Sequence, residues 1–416
     1  MKMKSMIRIV AGVLLLASTL PGQEISKQGR DYVSKIEKTF ATQSGGTLIL
    51  RDIQGDVHVS TWNQNTVRVL EDIRMDVFTE DEARKIVERA NESYSQSGNT
   101  VTINGRQSRR YERHDFAITL PIKHNLEVNT SGGDIRVDGL EGEIDLGTSG
   151  GDIRLTKIKG NLTFRTSGGD IELSDIEAPV RGRTSGGSID LSNLKGVSDL
   201  RTSGGSIRLD GAIKEVSLNT SGGEIDIRNA SADVDASTSG GSVRISQSKG
   251  KLRLRTSGGD MRLSDLSGEI AASTSGGDIQ GTTISGRLEV RTSGGDIDLR
   301  DMQAAVEAST SGGNVKAEIT LTDFSKPHGV TLSTSGGDIE VTLPAKMPAN
   351  ILAEIRLDGR NRRYERYDIF SDFPLSKQKV EEDRYDIIRA EGQINGGGDM
   401  VQLETHGGNI YVKKGK

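Results

Sequence analysis

The stretch Thr256-Ser257-Gly258-Gly259-Asp260 belongs to a series of Thr-Ser-Gly-Gly units that runs through most of this chain of 416 residues. Successive units follow at a constant step, and only the last step, from Thr310 to Thr334, is longer. A fixed period is the signature of a repeat architecture. The Thr residues of the units are Thr130, Thr148, Thr166, Thr184, Thr202, Thr220, Thr238, Thr256, Thr274, Thr292, Thr310 and Thr334.

One period, such as Thr148 to Arg165, has places one to eighteen when counted from its Thr, and it carries two short apolar alternations. Apolar residues stand at places six and eight and again at places fifteen and seventeen, which is the periodicity of β-strands. The Gly-Gly pair supplies backbone angles open to few other residues, and a Gly at place thirteen indicates another corner. Each period is therefore one turn of a coil. Coils stacked about 4.8 Å apart bury their apolar side chains together, so the predicted fold is all-β, a parallel β-solenoid (β-helix).

The alternation also sorts the polar side chains of a period. It places Thr166 inside with Leu162 and Phe164, so the Thr hydroxyls need partners along the ladder or in the turn backbone. Asp170, which follows Gly-Gly, points outward and is predicted to accept turn N–H groups. Cation or ligand binding is the alternative for this Asp column. Calcium-binding β-rolls, however, need acidic residues that recur every nine residues. Here one acidic place recurs only once per period, and the period is twice that length.

The N-terminus has the pattern of an export signal. Lys2, Lys4 and Arg8 precede an apolar run from Ile9 to Leu20, so residues 1–22 are predicted to be a signal peptide, with a short membrane anchor as the alternative. Export implies the periplasm, the cell surface or the exterior, and contact with membrane only through an uncleaved signal. Its removal changes the formal charge from −5 to −8, which argues against nucleic acid as a partner.

The regular repeats of residues 130–343 are flanked by two segments with cap patterns. In residues 23–129, the run from Ser44 to Val59 fits the repeat frame as a first, degenerate coil, and Thr79-Glu80-Asp81-Glu82 has capping-box spacing. An amphipathic helix is predicted over 79–95. In residues 344–416, an irregular segment precedes a capping coil that begins near Thr405. Caps are needed because an open terminal coil exposes strand edges.

A second duplication lies outside the repeat frame. Residues 109–115, Arg-Arg-Tyr-Glu-Arg-His-Asp, are echoed by residues 362–368, Arg-Arg-Tyr-Glu-Arg-Tyr-Asp. Basic residues interleaved with Tyr can form a patch for an anionic polymer or a partner. Two equivalent solvated hairpins are the simpler interpretation, and we favour it.

The sequence offers no catalytic, cofactor-binding or metal-binding set. The chain has no Cys, and its five His residues show no metal-ligand spacing. Gly-Gly precedes strands rather than helices, so it is not a phosphate loop.

Two columns of the repeat change together in the coils of residues 184–255. Place five, elsewhere mostly Asp, reads Ser188, Ser206, Glu224 and Ser242. Place eleven, elsewhere Ile, Leu or Met, becomes small, as at Ala212, Ala230 and Ser248. Such residues either pinch the coil or leave a shallow dent about three coils long. Neutral drift is one account; the other is that these place-five residues form a partner-binding face.

The arrangement resembles the bacterial putative-adhesin domain family, a domain of unknown function. The resemblance covers roughly residues 39–413: an opening Gly-Gly-Thr-Leu-Ile-Leu, a strand near 117–121 and the Thr-Ser-Gly-Gly-Asp-Ile series. It implies an exported solenoid that presents or spaces a surface, with no catalytic residues to transfer. We therefore expect a non-enzymatic envelope adhesin or scaffold that binds a protein or polysaccharide. The alternative is a carbohydrate-active β-helix enzyme, which near-identical coils disfavour because a catalytic site needs different residues at one place.

Overall fold

The computed structural model describes residues 24–105, 111–358, 367–381 and 385–415. In these residues the chain is almost entirely strand with one helix, and most strands pair in parallel one coil apart, so the predicted β-solenoid is confirmed. The predicted signal of residues 1–22 lies outside the described part. Among the helices of the described residues, none has the length and apolar character of a membrane span.

Each coil contributes to two ladders, which we name sheet A, whose strands enter the Thr-Ser-Gly-Gly corner, and sheet B, whose strands leave it. The long strands β22 and β23 pass from sheet B of one coil into sheet A of the next. The strands of the repeats are β9 (His124–Thr130), β10 (Ile135–Asp138), β11 (Glu141–Gly147), β12 (Ile153–Thr156), β13 (Lys159–Arg165), β14 (Ile171–Ile176), β15 (Val180–Arg183), β16 (Ile189–Leu194), β17 (Ser198–Arg201), β18 (Ile207–Ala212), β19 (Val216–Asn219), β20 (Ile225–Ala230), β21 (Val234–Ser237), β22 (Val243–Arg255), β23 (Met261–Ser273), β24 (Ile279–Ile284), β25 (Arg287–Arg291), β26 (Ile297–Met302), β27 (Val306–Ser309), β28 (Val315–Ile319), β29 (Val330–Thr334) and β30 (Ile339–Leu343).

Parallel register aligns identical places of successive coils. Ile153 pairs with Ile171 and Leu155 with Leu173, and the same offset of one full period runs through the regular repeats. The apolar places six, eight, eleven, fifteen and seventeen therefore form continuous columns, which join into one core along the stack. Because a coil has neighbours on both sides, it buries apolar surface that it could not bury alone.

The Thr column is inside, as predicted, and its hydroxyls bond the corner backbone. Thr238 donates its hydroxyl to the carbonyl of Gly223 in the preceding coil at 2.8 Å and accepts the N–H of its own Gly241 at 3.3 Å. The same pair of bonds recurs at Thr148 and Thr166. No Thr of the column is more than 6 % exposed.

The Gly-Gly pair serves a different purpose from the one predicted. Neither glycine of the pair has a left-handed φ. The second glycine is required instead by contact, because a Cβ at Gly169 would lie 1.9 Å from the carbonyl oxygen of Gly151. Left-handed angles occur at place ten, which the sequence analysis missed: Lys157, Asp175, Asn193, Gly211, Asn229, Gln247, Asp265, Thr283 and Asp301 have φ between 50° and 87°.

The N-terminal cap contains β1 (Ser26–Gln28), β2 (Asp31–Ala41), β3 (Gly46–Ile53), β4 (Val57–Trp62), β5 (Thr66–Met75), α1 (Glu80–Glu92), β6 (Tyr94–Ser97), β7 (Thr100–Asn104) and β8 (Glu112–Pro121). The coil of β3 and β4, predicted to be the first, lies second in space. β3 pairs with both β7 and β9, and β4 pairs with both β8 and β10. The outermost coil is therefore the later one, β7 and β8.

The C-terminal end repeats this insertion with β31 (Ala349–Asp358), β32 (Ile369–Ser371), β33 (Ser376–Glu381), β34 (Tyr385–Ile394), β35 (Asp399–Thr405) and β36 (Ile410–Lys414). The segment predicted to be irregular thus contains strands. The last coil in sequence, β35 and β36, lies between the coil of β29 and β30 and that of β31 and β32. The first coil in sequence, β3 and β4, and the last, β35 and β36, therefore each lie between two other coils.

The predicted cap helix is present but shorter than 79–95. Thr79 caps α1, and Thr79 and Glu82 form the capping box. Ser93 ends the helix, and Tyr94 begins β6, so the helix does not reach residue 95. Ala83, Ile86, Val87 and Ala90 pack on β2 and β5, which explains why their helical spacing was visible in the sequence.

Replacing Leu263 with Ala should lower the free energy of unfolding by about 2–5 kcal/mol, because Leu263 is 2 % exposed and its removal leaves a cavity. The adjacent Arg262→Ala should change it by no more than about 0.5 kcal/mol, since Arg262 points outward. Urea denaturation of both variants measures the difference. Equal effects would mean that the alternation is assigned one residue out of register.

Replacing Thr238 with Val keeps the shape of the side chain and removes both hydroxyl bonds at the corner. We expect a loss of about 1–3 kcal/mol, because Gly241 N–H loses its acceptor in a buried corner. Ser239→Ala, at the exposed neighbour, is the matched control and should cost less than about 0.5 kcal/mol. A Val variant as stable as the control would contradict the structural role assigned to the Thr column.

Candidate functional site

The place-five carboxylates link successive coils. Asp134 accepts the backbone N–H of Asp152 through Oδ1 at 2.9 Å, and Asp152 accepts that of Asp170 at 2.9 Å. The series resumes at Asp260, which accepts from Asp278 at 3.1 Å. The Asp column therefore bonds the backbone of the next coil rather than its own turn, which corrects the predicted acceptor role in detail. A carboxylate that accepts a peptide N–H forms one of the stronger hydrogen bonds of a protein surface.

The predicted partner face interrupts this carboxylate ladder. Ser206 and Ser242 continue it through hydroxyl oxygens, which accept from Glu224 N at 3.2 Å and from Asp260 N at 3.3 Å. The Glu224 carboxylate instead binds Arg244, at 2.6 Å. Register brings Ser188, Ser206, Glu224 and Ser242 together in one row at the corner, where the three serines are half-buried and Glu224 is exposed.

The small residues at place eleven do not open a dent. Ala212, Ala230 and Ser248 are all buried, and the Ser248 hydroxyl donates to the carbonyl of Ser246 at 2.8 Å and accepts from Ala230 N at 3.1 Å. A shallow groove of about 330 Å³ lies instead on sheet B, at the outward places seven and nine. It is lined mainly by charged residues, including Asp190, Arg208, Asp210, Asp226 and Arg228.

A second groove, of about 430 Å³, lies on the sheet A side of the corner. Three arginines at place eighteen of consecutive coils line it together with the corner serines; these residues are Arg165, Arg183, Arg201, Ser149, Ser167, Ser185 and Ser203. All seven are exposed. The row is visible in the sequence when the residues at place eighteen of successive periods are aligned.

One buried cluster in the N-terminal cap has the residue types of a catalytic site. His114 Nδ1 lies 2.6 Å from Glu71 Oε1, and Tyr94 donates its hydroxyl to Glu71 Oε2 at 2.5 Å. His114 Nε2 lies 3.6 Å from Glu112, which also pairs with Arg89 at 2.8 Å. Burial alone would lower the pKa of the His114 imidazole, but the carboxylates of Glu112 and Glu71 raise it to about 9. His114 is thus an imidazolium at neutral pH.

The cavity beside this cluster holds about 30 Å³, roughly the volume of one water molecule. His114 is 6 % exposed. A cavity of this size admits no sugar ring, so the cluster is suited to joining α1 to the strands beneath it. Among the described residues, no group of three or more His, Asp or Glu side chains is arranged to hold a metal ion.

The described ends of the basic duplication lie at equivalent places in the two caps. Residues 106–110 and 359–366 lie outside the described part of the chain. The described ends of both copies enter the outermost coils: Asp115 accepts the N–H of Asp56, and Asp368 donates its N–H to Asn409, both at 2.9 Å. Each copy comes after a sheet A strand and leads into a sheet B strand, so the two copies occupy equivalent positions; the hairpin interpretation falls largely on the residues outside the described part.

The comparisons with known proteins agree with this architecture at the level of family. One solved structure, of a "putative cell adhesion protein" from Clostridium sporogenes, aligns over 92 % of this chain and 100 % of its own, at 9 % identity and a TM-score of 0.14. At that TM-score the likeness supports no inference. No curated protein matches the sequence. The Toastrack DUF4097 family matches residues 52–249 and 210–342, which is most of the chain and nearly all of its repeats, and the chain therefore belongs to that family.

Proposed function

We propose that this protein is an exported, non-enzymatic, adhesin-like scaffold that binds an envelope protein or polysaccharide along its repeat faces. The observation that carries the proposal is the interruption of the place-five ladder from Ser188 to Ser242. Over these coils short hydroxyls and a diverted Glu224 carboxylate replace the regular acceptors. The row thereby loses negative charge and presents hydroxyls, each of which both donates and accepts.

The periodic construction of the outer surface favours binding over catalysis. Every outward place recurs one coil further on at the same spacing, so a ligand with its own repeat can contact several coils at once, and weak contacts add along its length. The His114 cluster lacks room for a substrate. Export rests on the pattern of residues 1–22, and it would place the scaffold in the periplasm, at the cell surface or outside the cell.

The place-five row is tested by restoring its carboxylates in the triple variant Ser188→Asp, Ser206→Asp and Ser242→Asp. Each Asp can accept the N–H of the next coil as Asp170 accepts that of Ser188, so folding should be intact. Binding to envelope glycans and envelope proteins, measured by a glycan panel and by surface plasmon resonance, should weaken on the order of tenfold, since three carboxylates now crowd the face.

The matched control adds the same charge at exposed corner serines outside the row: Ser275→Asp, Ser293→Asp and Ser311→Asp. Its affinity should equal that of the wild type. The proposed face is wrong if the folded triple variant keeps full affinity or if the control loses as much. A wild-type protein that binds no envelope component, or that cleaves a polysaccharide, would contradict the proposed function itself.

The His114 cluster predicts a specific dependence of stability on pH. The folded-state pKa of about 9 lies above the ordinary value of 6.5, so its stabilisation is complete below pH 6.5 and is lost as pH rises through 9. The free energy of unfolding should fall by up to about 3 kcal/mol across this window. Melting temperatures measured from pH 6 to 10 should fall with it.

His114→Gln should be less stable than the wild type at pH 6 and should lack most of this slope. His58→Gln, at an exposed histidine of the same cap, should keep it. A wild-type protein equally stable at pH 6 and pH 10 would show that the cluster does not hold a proton as described.

A further inference from the structure

We propose that the groove beside the Thr-Ser-Gly-Gly corners on sheet A binds a linear polysaccharide that carries carboxylates. The binding groups are the arginine row, defined as Arg165, Arg183 and Arg201. The inference rests on the proposed function, because it names the class of polymer that such a scaffold would bind. It places that polymer on the opposite side of the corner from the place-five row.

The arginine row is straight because parallel register makes it so. Arg165 pairs with Arg183, and Arg183 with Arg201, as direct neighbours on β13, β15 and β17. The row begins after Gly147 and ends before Asn219, its register neighbours in the adjoining coils. The Arg165 side chain lies beside Gly147, since a Cβ there would be 3.5 Å from Arg165 Nε, which is ordinary van der Waals contact. The guanidinium groups therefore project from one side of the groove over three consecutive coils.

Two arginines of the row lack the ion pairs that arginines form at the same place in other coils. Arg255 pairs with Asp235 at 3.4 Å, and Arg291 with Glu289 and Glu307 at 2.8 Å. Arg201 pairs with Asp199 at 3.1 Å. In the described part of the chain, neither Arg165 nor Arg183 has a carboxylate within 4 Å.

Arg181 adds positive charge beside the row, although its register neighbour on β17 is Asp199. Arg181, two residues before Arg183 on the same face of β15, also has no carboxylate within 4 Å in the described part of the chain. Like charges directly opposite each other on neighbouring strands destabilise a sheet. Unpaired guanidinium groups stacked in this way are accounted for by an anionic ligand that neutralises them.

The spacing of the row suits a chain of sugars. The backbones that carry neighbouring arginines are separated by the rise of one coil, about 4.8 Å, which is close to the length of one pyranose ring. A guanidinium can bind a carboxylate through two parallel hydrogen bonds. Ser167 and Ser185, beside the arginines, offer hydroxyls to the hydroxyl groups of the same sugars. A polyuronate laid along the groove thus presents one carboxylate for each coil it crosses.

The groove is less suited to the other common polyanions. Proteins that bind single-stranded nucleic acid combine a basic groove with aromatic side chains on which bases stack. No aromatic residue of the described part lines this groove, and Phe164, the aromatic residue nearest in sequence, is buried. Among the described residues the groove also has no apolar rim that could insert into an anionic membrane.

The test compares two double variants that remove equal charge at the same place of the coil. Arg165→Ser with Arg183→Ser removes the unpaired arginines; Arg255→Ser with Arg291→Ser removes paired ones. Ser occupies place eighteen naturally at Ser237, Ser273 and Ser309, so both doubles should fold. Calorimetric titration with polygalacturonate gives the affinities at low and at physiological salt. Neutral dextran, a single-stranded oligonucleotide and phosphatidylglycerol vesicles are the comparison probes.

We expect the wild type and the Arg255/Arg291 double to bind polygalacturonate alike, more weakly as salt rises, while the Arg165/Arg183 double loses on the order of tenfold or more. Absence of binding by the wild type, equal losses in both doubles, or tighter binding of oligonucleotide or vesicles would each overturn the inference. If the wild type does not bind polygalacturonate but binds another envelope component through the place-five row, the inference fails while the proposed function stands.

Discussion

The corner of every coil depends on the absence of a side chain at the second glycine. At Gly241, a Cβ atom would lie 2.0 Å from the carbonyl oxygen of Gly223 in the preceding coil, far inside van der Waals contact. Because the two backbones approach so closely, the Thr238 hydroxyl reaches that same carbonyl. Register follows from this contact, since a corner that slipped along the ladder would set a side chain against the neighbouring backbone. The inner columns and the outer rows are aligned by the same condition.

The sequence predicts those features of the fold that follow from local alternation. Leu263 inside and Arg262 outside can be read from a period of two, and the inward Thr follows from the same count. Place ten could not be read in this way, because alternation from places six and eight would point Asp175 and Asn193 inward, whereas both are exposed. Their left-handed angles are needed because Ile176 and Leu194 must point inward again one residue later than simple alternation allows.

The two ends and the arginine row depend on contacts between residues far apart in the sequence. β3 lies between β7 and β9, and nothing in its local pattern specifies that order. The echo of residues 109–115 in 362–368 was visible, but its meaning depends on Asp115 and Asp368 occupying place five of the outermost coils. The place-five row was found because its residue type changes. The arginine row has no such signal, because Arg165 and Arg255 are the same residue type at the same place of the coil. They differ only in whether a carboxylate lies near them.

The division between inner and outer columns limits where function can be encoded in such a chain. Inner substitutions are absorbed locally: at Ala230 and Ser248 the column stays buried, and a hydroxyl bond to the backbone replaces part of the lost contact. Outer places carry no such constraint, since place eighteen accepts Arg, Ser or Asn on one backbone, as at Arg255, Ser273 and Asn219. Repetition by itself would give uniform outer rows. The departures from uniformity that persist over several adjacent coils, in charge at place eighteen and in residue type at place five, are therefore the features of this fold that its stability does not explain.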